Sequence, residues 1–152
     1  MKRIGSEIEI DVPAARVWKI ITDFDAYPRW NRFTPRITLT NGKFREGAEF
    51  ELDCAMTPRR LLRNERETIL AVEPEVFRFC MGTSRTRGRP GIRSFRWQIC
   101  EPIEGDRTRF VNHEEFRGPL APLVRLIYGR RLKSAFDEYC RSLKKFSEDE
   151  RT

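Results

Sequence analysis

The chain has 152 residues, 30 Lys and Arg against 23 Asp and Glu, a net charge of +7 and 39% hydrophobic residues. That length suits one domain able to bury about two-thirds of its unfolded surface, and the composition excludes a disordered chain. No window approaches the roughly 18 apolar residues of a membrane span, and the first ten residues hold no apolar run of signal-peptide length, so a cytoplasmic protein is expected.

Residues 6–12, S-E-I-E-I-D-V, alternate Ile8, Ile10 and Val12 against Glu7, Glu9 and Asp11, the pattern of a half-buried strand. Pro13 then opens a helix, where its missing N–H costs nothing. Val17, Ile20, Ile21 and Phe24 give that helix one buried stripe. Residues 23–33, D-F-D-A-Y-P-R-W-N-R-F, follow as a second short helix with Pro28 in its first turn, and Tyr27, Trp30 and Phe33 spaced by three.

From about 36 to 117 the pattern is antiparallel strands. Asn41-Gly42 marks a hairpin turn, and Phe50 and Leu52 alternate with acids. Residues 61–72 form a long strand ended by Glu73-Pro74-Glu75. Within it Arg63, Glu65 and Glu67 share one face, read as an outward ladder of charge, although either face of this strand can turn inward. Phe77, Phe79 and Met81 share a face of the next strand, and Phe95, Trp97 and Ile99 a face of the one after. The last strand sets Phe110, Asn112, Glu114 and Phe116 against Val111 and His113. Short turns between successive strands imply a meander. Gly118-Pro119 ends the sheet, and a helix to about residue 146 carries the stripe Leu120, Leu123, Val124, Ile127, Leu132, Ala135, Phe136, Tyr139, Leu143 and Phe146. It spans about 40 Å at 1.5 Å per residue, and Gly129 marks a place for a kink. Residues 1–147 read as one domain and 148–152 as a polar, frayed tail.

Cys54, Cys80, Cys100 and Cys140 are scattered without a C-x-x-C pair, and with the single His113 they form no zinc pattern. Neither a metal nor a cofactor is expected. The densest basic run, residues 84–93, is rich in Gly and Pro, so Arg85, Arg87, Arg89 and Arg93 read as solvated charge on a loop rather than a specific nucleic-acid site.

Two stretches carry a resemblance. V-P-A-A-R-V-W-K-I-I-T-D-F-D-A-Y-P-R-W-N at the start and F-R-G-P-L-A-P-L at 116–123 resemble the START-related, Bet v 1-like (SRPBCC) superfamily, in particular its polyketide cyclase/dehydrase-like branch. The resemblance implies an α+β helix-grip fold. A seven-stranded curved antiparallel sheet wraps a long C-terminal helix, and two short helices after the first strand close one end of an apolar cavity. Tyr27, Trp30 and Phe33 would wall that end.

Function is then read from the site rather than the fold. The first reading is binding, with or without transport, of a small hydrophobic ligand such as a lipid, polyketide, quinone or isoprenoid. The second is an aromatase/cyclase or dehydratase using a cavity carboxylate, and the third a basic module for an anionic partner. Alternation points Phe77, Phe79, Phe95, Trp97, Phe110 and Phe116 inward as pocket lining, with Asn112 and Glu114 as polar anchors. Trp30, Phe136 and Tyr139 complete the expected ligand-binding set. Glu114 is the one candidate acid or base, its pKa raised by aromatic neighbours, or else a carboxylate paired with Arg66 or Arg96. His113 faces outward. The sequence leaves the oligomeric state open between monomer and homodimer.

Overall fold

The computed structural model describes residues 3–57, 59–83 and 89–149. Strand β1 (Arg3–Ile10) leads into helix α1 (Ala14–Thr22) and a 3₁₀ helix (Phe24–Arg29). Strands β2 (Arg36–Leu39), β3 (Glu49–Thr57), β4 (Arg60–Glu73), β5 (Arg78–Gly82), β6 (Arg93–Ile103) and β7 (Arg107–Arg117) precede helix α2 (Ala121–Asp149). All seven strands form one antiparallel sheet in the order β1-β7-β6-β5-β4-β3-β2, so the first strand pairs with the last. Helix α2 packs on β1, β3 and β7. This is the expected helix-grip arrangement.

Local chemistry explains the boundaries. The Pro13 carbonyl accepts the first turn of α1 from the amides of Arg16 and Val17, at 3.0 and 3.2 Å. Pro28 lies in the last turn of the 3₁₀ helix rather than in its first, so it ends the element instead of opening it. The Asn41-Gly42 pair sits in a longer connection between β2 and β3. There the Asn41 side chain takes the Glu49 amide at 2.8 Å, and Gly42 adopts φ +118°. Helix α2 continues through Gly129 and on to Asp149, with Ser147 fully buried. Residues 148 and 149 of the expected tail are therefore helical, and residues 150–152 lie outside the described residues. So do Arg85 and Arg87 of the basic run.

Alternation is strict on β6 and β7, and the register fixes both faces: Ser94, Arg96, Gln98 and Cys100 lie opposite Phe116, Glu114, Asn112 and Phe110. These eight turn toward α2. Phe95 and Trp97 therefore stand on the outer face of the sheet, contrary to the inward placement expected from their size. Their exposure is tolerable because guanidinium groups cover them: Arg117 and Arg93 lie 4.6 and 5.0 Å from the Phe95 ring, and Arg78 lies 5.4 Å from Trp97. Trp97 consequently has no place in the packing of α2. His113, cross-strand from Trp97, shares that outer face.

The core fills one end of the sheet. Phe24 meets Phe44, Phe50 and Tyr27 edge-on at 5.3, 5.6 and 5.0 Å, and Phe44 meets Phe79 at 5.1 Å. From α2, Phe136, Tyr139 and Leu143 complete it, Phe136 against Phe33 and Tyr139 against Trp30. Phe77 has a left-handed backbone, φ +51°, which breaks its alternation with Phe79 and turns its ring onto Trp18 at 6.3 Å.

Candidate functional site

The inward face of β6 and β7 grows more polar toward the N-terminal half of α2. On β6, Arg96 is only 6% exposed, with Phe33, Phe136 and Tyr139 around its guanidinium at 5.0, 4.9 and 4.7 Å. Its Nε donates to Asn112 Oδ1 at 2.7 Å. Two residues along, Gln98 accepts from the Tyr139 hydroxyl and donates to Met81 Sδ at 3.2 Å. Burial raises the pKa of both Tyr139 and Tyr27, so these phenols act as donors, not anions. Gly82 lets β5 approach this row closely, because a Cβ there would fall 2.0 Å from the Ser94 carbonyl oxygen.

Above this floor lies a cleft of about 340 Å³. Strand β4 contributes Glu65 and Glu67, and β6 and β7 contribute Ser94, Glu114 and Phe116. Val124, Tyr128 and Leu132 of α2, with Leu120 just before it, form one wall at helical spacing, and Phe33 and Met56 the far side. Arg60, Arg66 and Arg89 stand at the rim, with Arg89 bound to Glu65 at 3.1 Å and Arg66 to Glu51 at 3.4 Å. A left-handed residue, Asn64 (φ +56°), and a register shift between Leu52 and Cys54 mark where β4 changes course, leaving Arg63 exposed while Glu65 and Glu67 turn inward. Of the expected outward ladder, Glu65 and Glu67 thus line the cleft and only Arg63 faces solvent.

Two carboxyl groups in this cleft titrate near neutrality. Burial raises Glu67 to about 8, with the Glu114 charge adding and Arg96 opposing. Burial likewise raises Glu114 to about 7, again opposed by Arg96, its cross-strand partner. Among the described residues neither carboxylate makes a direct ion pair with Arg96. The Arg96 Nη2 and Asn112 Nδ2 donors are buried without a partner among the same residues. Cys54 faces the same charges, and burial holds its thiol well above the ordinary range, which favours the protonated form. No group of three or more His, Cys, Asp or Glu among the described residues is arranged to hold a metal.

Of the side chains singled out from sequence, Glu114 and Phe116 line the cleft. Asn112 lies beneath it on Arg96, and Tyr139 on Gln98. Phe79, Phe110 and Phe136 are wholly buried in packed core, and Trp30 is 6% exposed against Tyr139 and Phe146. Phe77 lies on Trp18, and Phe95 and Trp97 are outside. The rings expected to line a pocket thus mostly fill the space. Gln98 went unnamed and Arg96 entered only as an alternative partner of Glu114, because size was used to choose the inward face of β6, where the alternation of S-R-Q against F-W-I is equally clean either way. Glu67 was read into an outward ladder, because alternation on β4 marks neither face as the inner one.

The chain matches the family described as polyketide cyclase / dehydrase and lipid transport over residues 1–148. A curated relative, oxopyrrolidines biosynthesis cluster protein O of Penicillium oxalicum, is 26% identical over 152 aligned residues, covering 82% of this chain and 75% of the relative. Among solved structures, the ZhuI aromatase/cyclase of Streptomyces sp. R1128 superposes with a TM-score of 0.71 at 11% identity, covering 97% of this chain and 93% of that one. Norcoclaurine synthase from Thalictrum flavum superposes at 0.72 with 14% identity, covering 97% and 87%. This protein therefore belongs to the polyketide cyclase / dehydrase and lipid transport family.

Proposed function

We propose that the cleft binds a largely apolar small molecule bearing a ketone or similar oxygen group, and that Glu67 and Glu114 move a proton on it. That is the chemistry of a cyclisation or dehydration of a polyketide-type carbonyl compound. The observation that carries this reading is that Glu67 and Glu114 line one cleft with an apolar helix wall, the Arg96 guanidinium beneath them, while the third carboxylate, Glu65, is held by Arg89. Near neutrality Glu67, at about 8, keeps its proton while Glu114, at about 7, is open to ionise. Environments that separate two like groups in this way assign acid and base. Ionised Glu114 takes a proton from the carbon beside the carbonyl, and protonated Glu67 gives one to the carbonyl oxygen. The product is the enol, and the pair ends with its single proton on the other member. Family membership and the names of the relatives support a cavity-type binding or cyclase role.

The test uses an uncharged probe, nonane-2,4-dione, in D₂O. The protein is expected to accelerate deuterium exchange at the carbon between the carbonyls, read by NMR. A bound probe with an unaccelerated exchange rate leaves a carrier, the binding reading without chemistry, supported by the apolar majority of the lining.

A further inference from the structure

A second cleft, about 620 Å³, lies beside the first and shares Phe33 and Met56 as a common wall. Its floor is Phe33, Ala55, Met56 and Ala135, and its rim holds Arg32, Arg130, Arg131 and Arg141. On α2, residues 130, 131, 134, 135, 138 and 141 fall on one face, so the helix presents this rim as a unit. Arg141 is bound to Glu138, the one acid in the cleft, at 3.1 Å.

The other three guanidinium groups stand together on the rim without an acid between them. Arg36, Arg66, Arg78, Arg89, Arg107, Arg109 and Arg117 each hold a carboxylate. Arg32, Arg130 and Arg131 have none among the described residues, although they surround one apolar trough. All three are exposed at the rim, and unneutralised like charges repel. A single carboxylate would satisfy one fork and leave two. A phosphate monoester carries about −1.5 to −2 charges at pH 7 and three acceptor oxygens, which matches three guanidinium donors.

We propose that this second cleft seats the phosphate head of a single-chain amphiphile, whose apolar chain passes the Phe33–Met56 wall into the first cleft. The inference deepens the reading above, since it takes the first cleft as the seat of the ligand's other end. Met56 suits a wall that adjusts to a passing chain, being unbranched and readily reoriented.

The test measures calorimetric affinity for dodecyl phosphate, dodecanoate and dodecanol below their micelle concentrations, with inorganic phosphate alone as a fourth ligand. Dodecyl phosphate is expected to bind at least about tenfold tighter than dodecanoate or dodecanol, and inorganic phosphate far more weakly than any of them. The combined substitution Arg32→Gln, Arg130→Gln and Arg131→Gln should lose about tenfold or more for dodecyl phosphate and leave dodecanol unchanged. The matching triple substitution to Lys should recover part of the loss, and the dodecanol titration itself reports that each variant is folded. Equal affinities for the three chains, or a Gln variant that keeps the phosphate preference, overturn the proposal. Inorganic phosphate binding as tightly as dodecyl phosphate also overturns it, leaving an anion site without a chain. The diketone carries no charge, so failure of its exchange and failure of the phosphate preference are separate results.

Discussion

Beneath one helix the sheet makes two unlike environments. Toward the C-terminal half of α2, rings from α1, the 3₁₀ helix, β3 and β5 meet edge to face and leave no room. Toward its N-terminal half, β4, β6 and β7 present Glu67, Arg96, Asn112 and Glu114, and a cleft stays open. The contrast shows how a small domain keeps a vacancy at all. One end supplies the burial that holds the helix down, and the other is then free to carry polar groups that cost stability. Filling and function are divided along the length of α2.

The sharpest break in that comparison removes the filled end. Phe136 is 0% exposed between Phe33 and Arg96, so Phe136→Ala should cost about 3–5 kcal/mol in urea denaturation. A cost as small as that of a surface change would mean that stability is spread evenly along α2. At the open end the expected loss is in chemistry. Glu114→Gln should slow exchange of the diketone by about 10²-fold or more while stability holds or rises, and Glu67→Gln should act in the same direction.

The pH dependence of stability sharpens the comparison further. In the unfolded chain these carboxyls release their protons around 4.5, while in the folded protein they hold them to about 7 and 8. The folded state thus binds more protons through that window, and stability falls as pH rises from about 4.5 to 8, levelling off above. Glu67→Gln removes part of the penalty. It should raise the melting temperature at pH 8.5 by at least about 3 °C and leave that at pH 4 nearly unchanged. A uniform shift at both pH values would place the effect in packing instead.

The smallest effect belongs to the outer face. Arg93 lies over Phe95 without burying it, so Arg93→Gln should cost only about 0.5–1 kcal/mol and leave diketone exchange untouched.

The elements were largely legible because period and punctuation are local: Pro13, Gly118-Pro119 and the strand alternations marked them from the chain alone. The facing of β6 was not legible, because Ser94, Arg96 and Gln98 alternate with Phe95, Trp97 and Ile99 without naming an inside. Only the arginines Arg78, Arg93 and Arg117, brought over those rings by folding, make the aromatic side the outer one. On β4 a single left-handed residue, Asn64, accompanies the change in strand course that separates Arg63 from Glu65 and Glu67, and nothing in R-N-E-R-E announces it. Glu114 was readable as a buried carboxyl, since Phe110 and Phe116 flank it on the same side of one strand. Its partner Glu67 was not, being three strands away across the sheet.

The pairing of β1 with β7 has a consequence for how the chain reaches this structure. Strand β1 precedes the rest of this sheet in synthesis and finds its neighbour β7 only after the five strands between them, and α2, which seals the grip, comes later still. Until then β1 offers an unpaired edge bearing Ile8 and Ile10, the kind of edge that invites pairing with another chain. Pairing over so long a separation raises contact order, which slows folding relative to a helical bundle of equal size. The alternating Glu7 and Glu9 place charge along that edge, the feature by which natural sheets discourage edge-to-edge pairing.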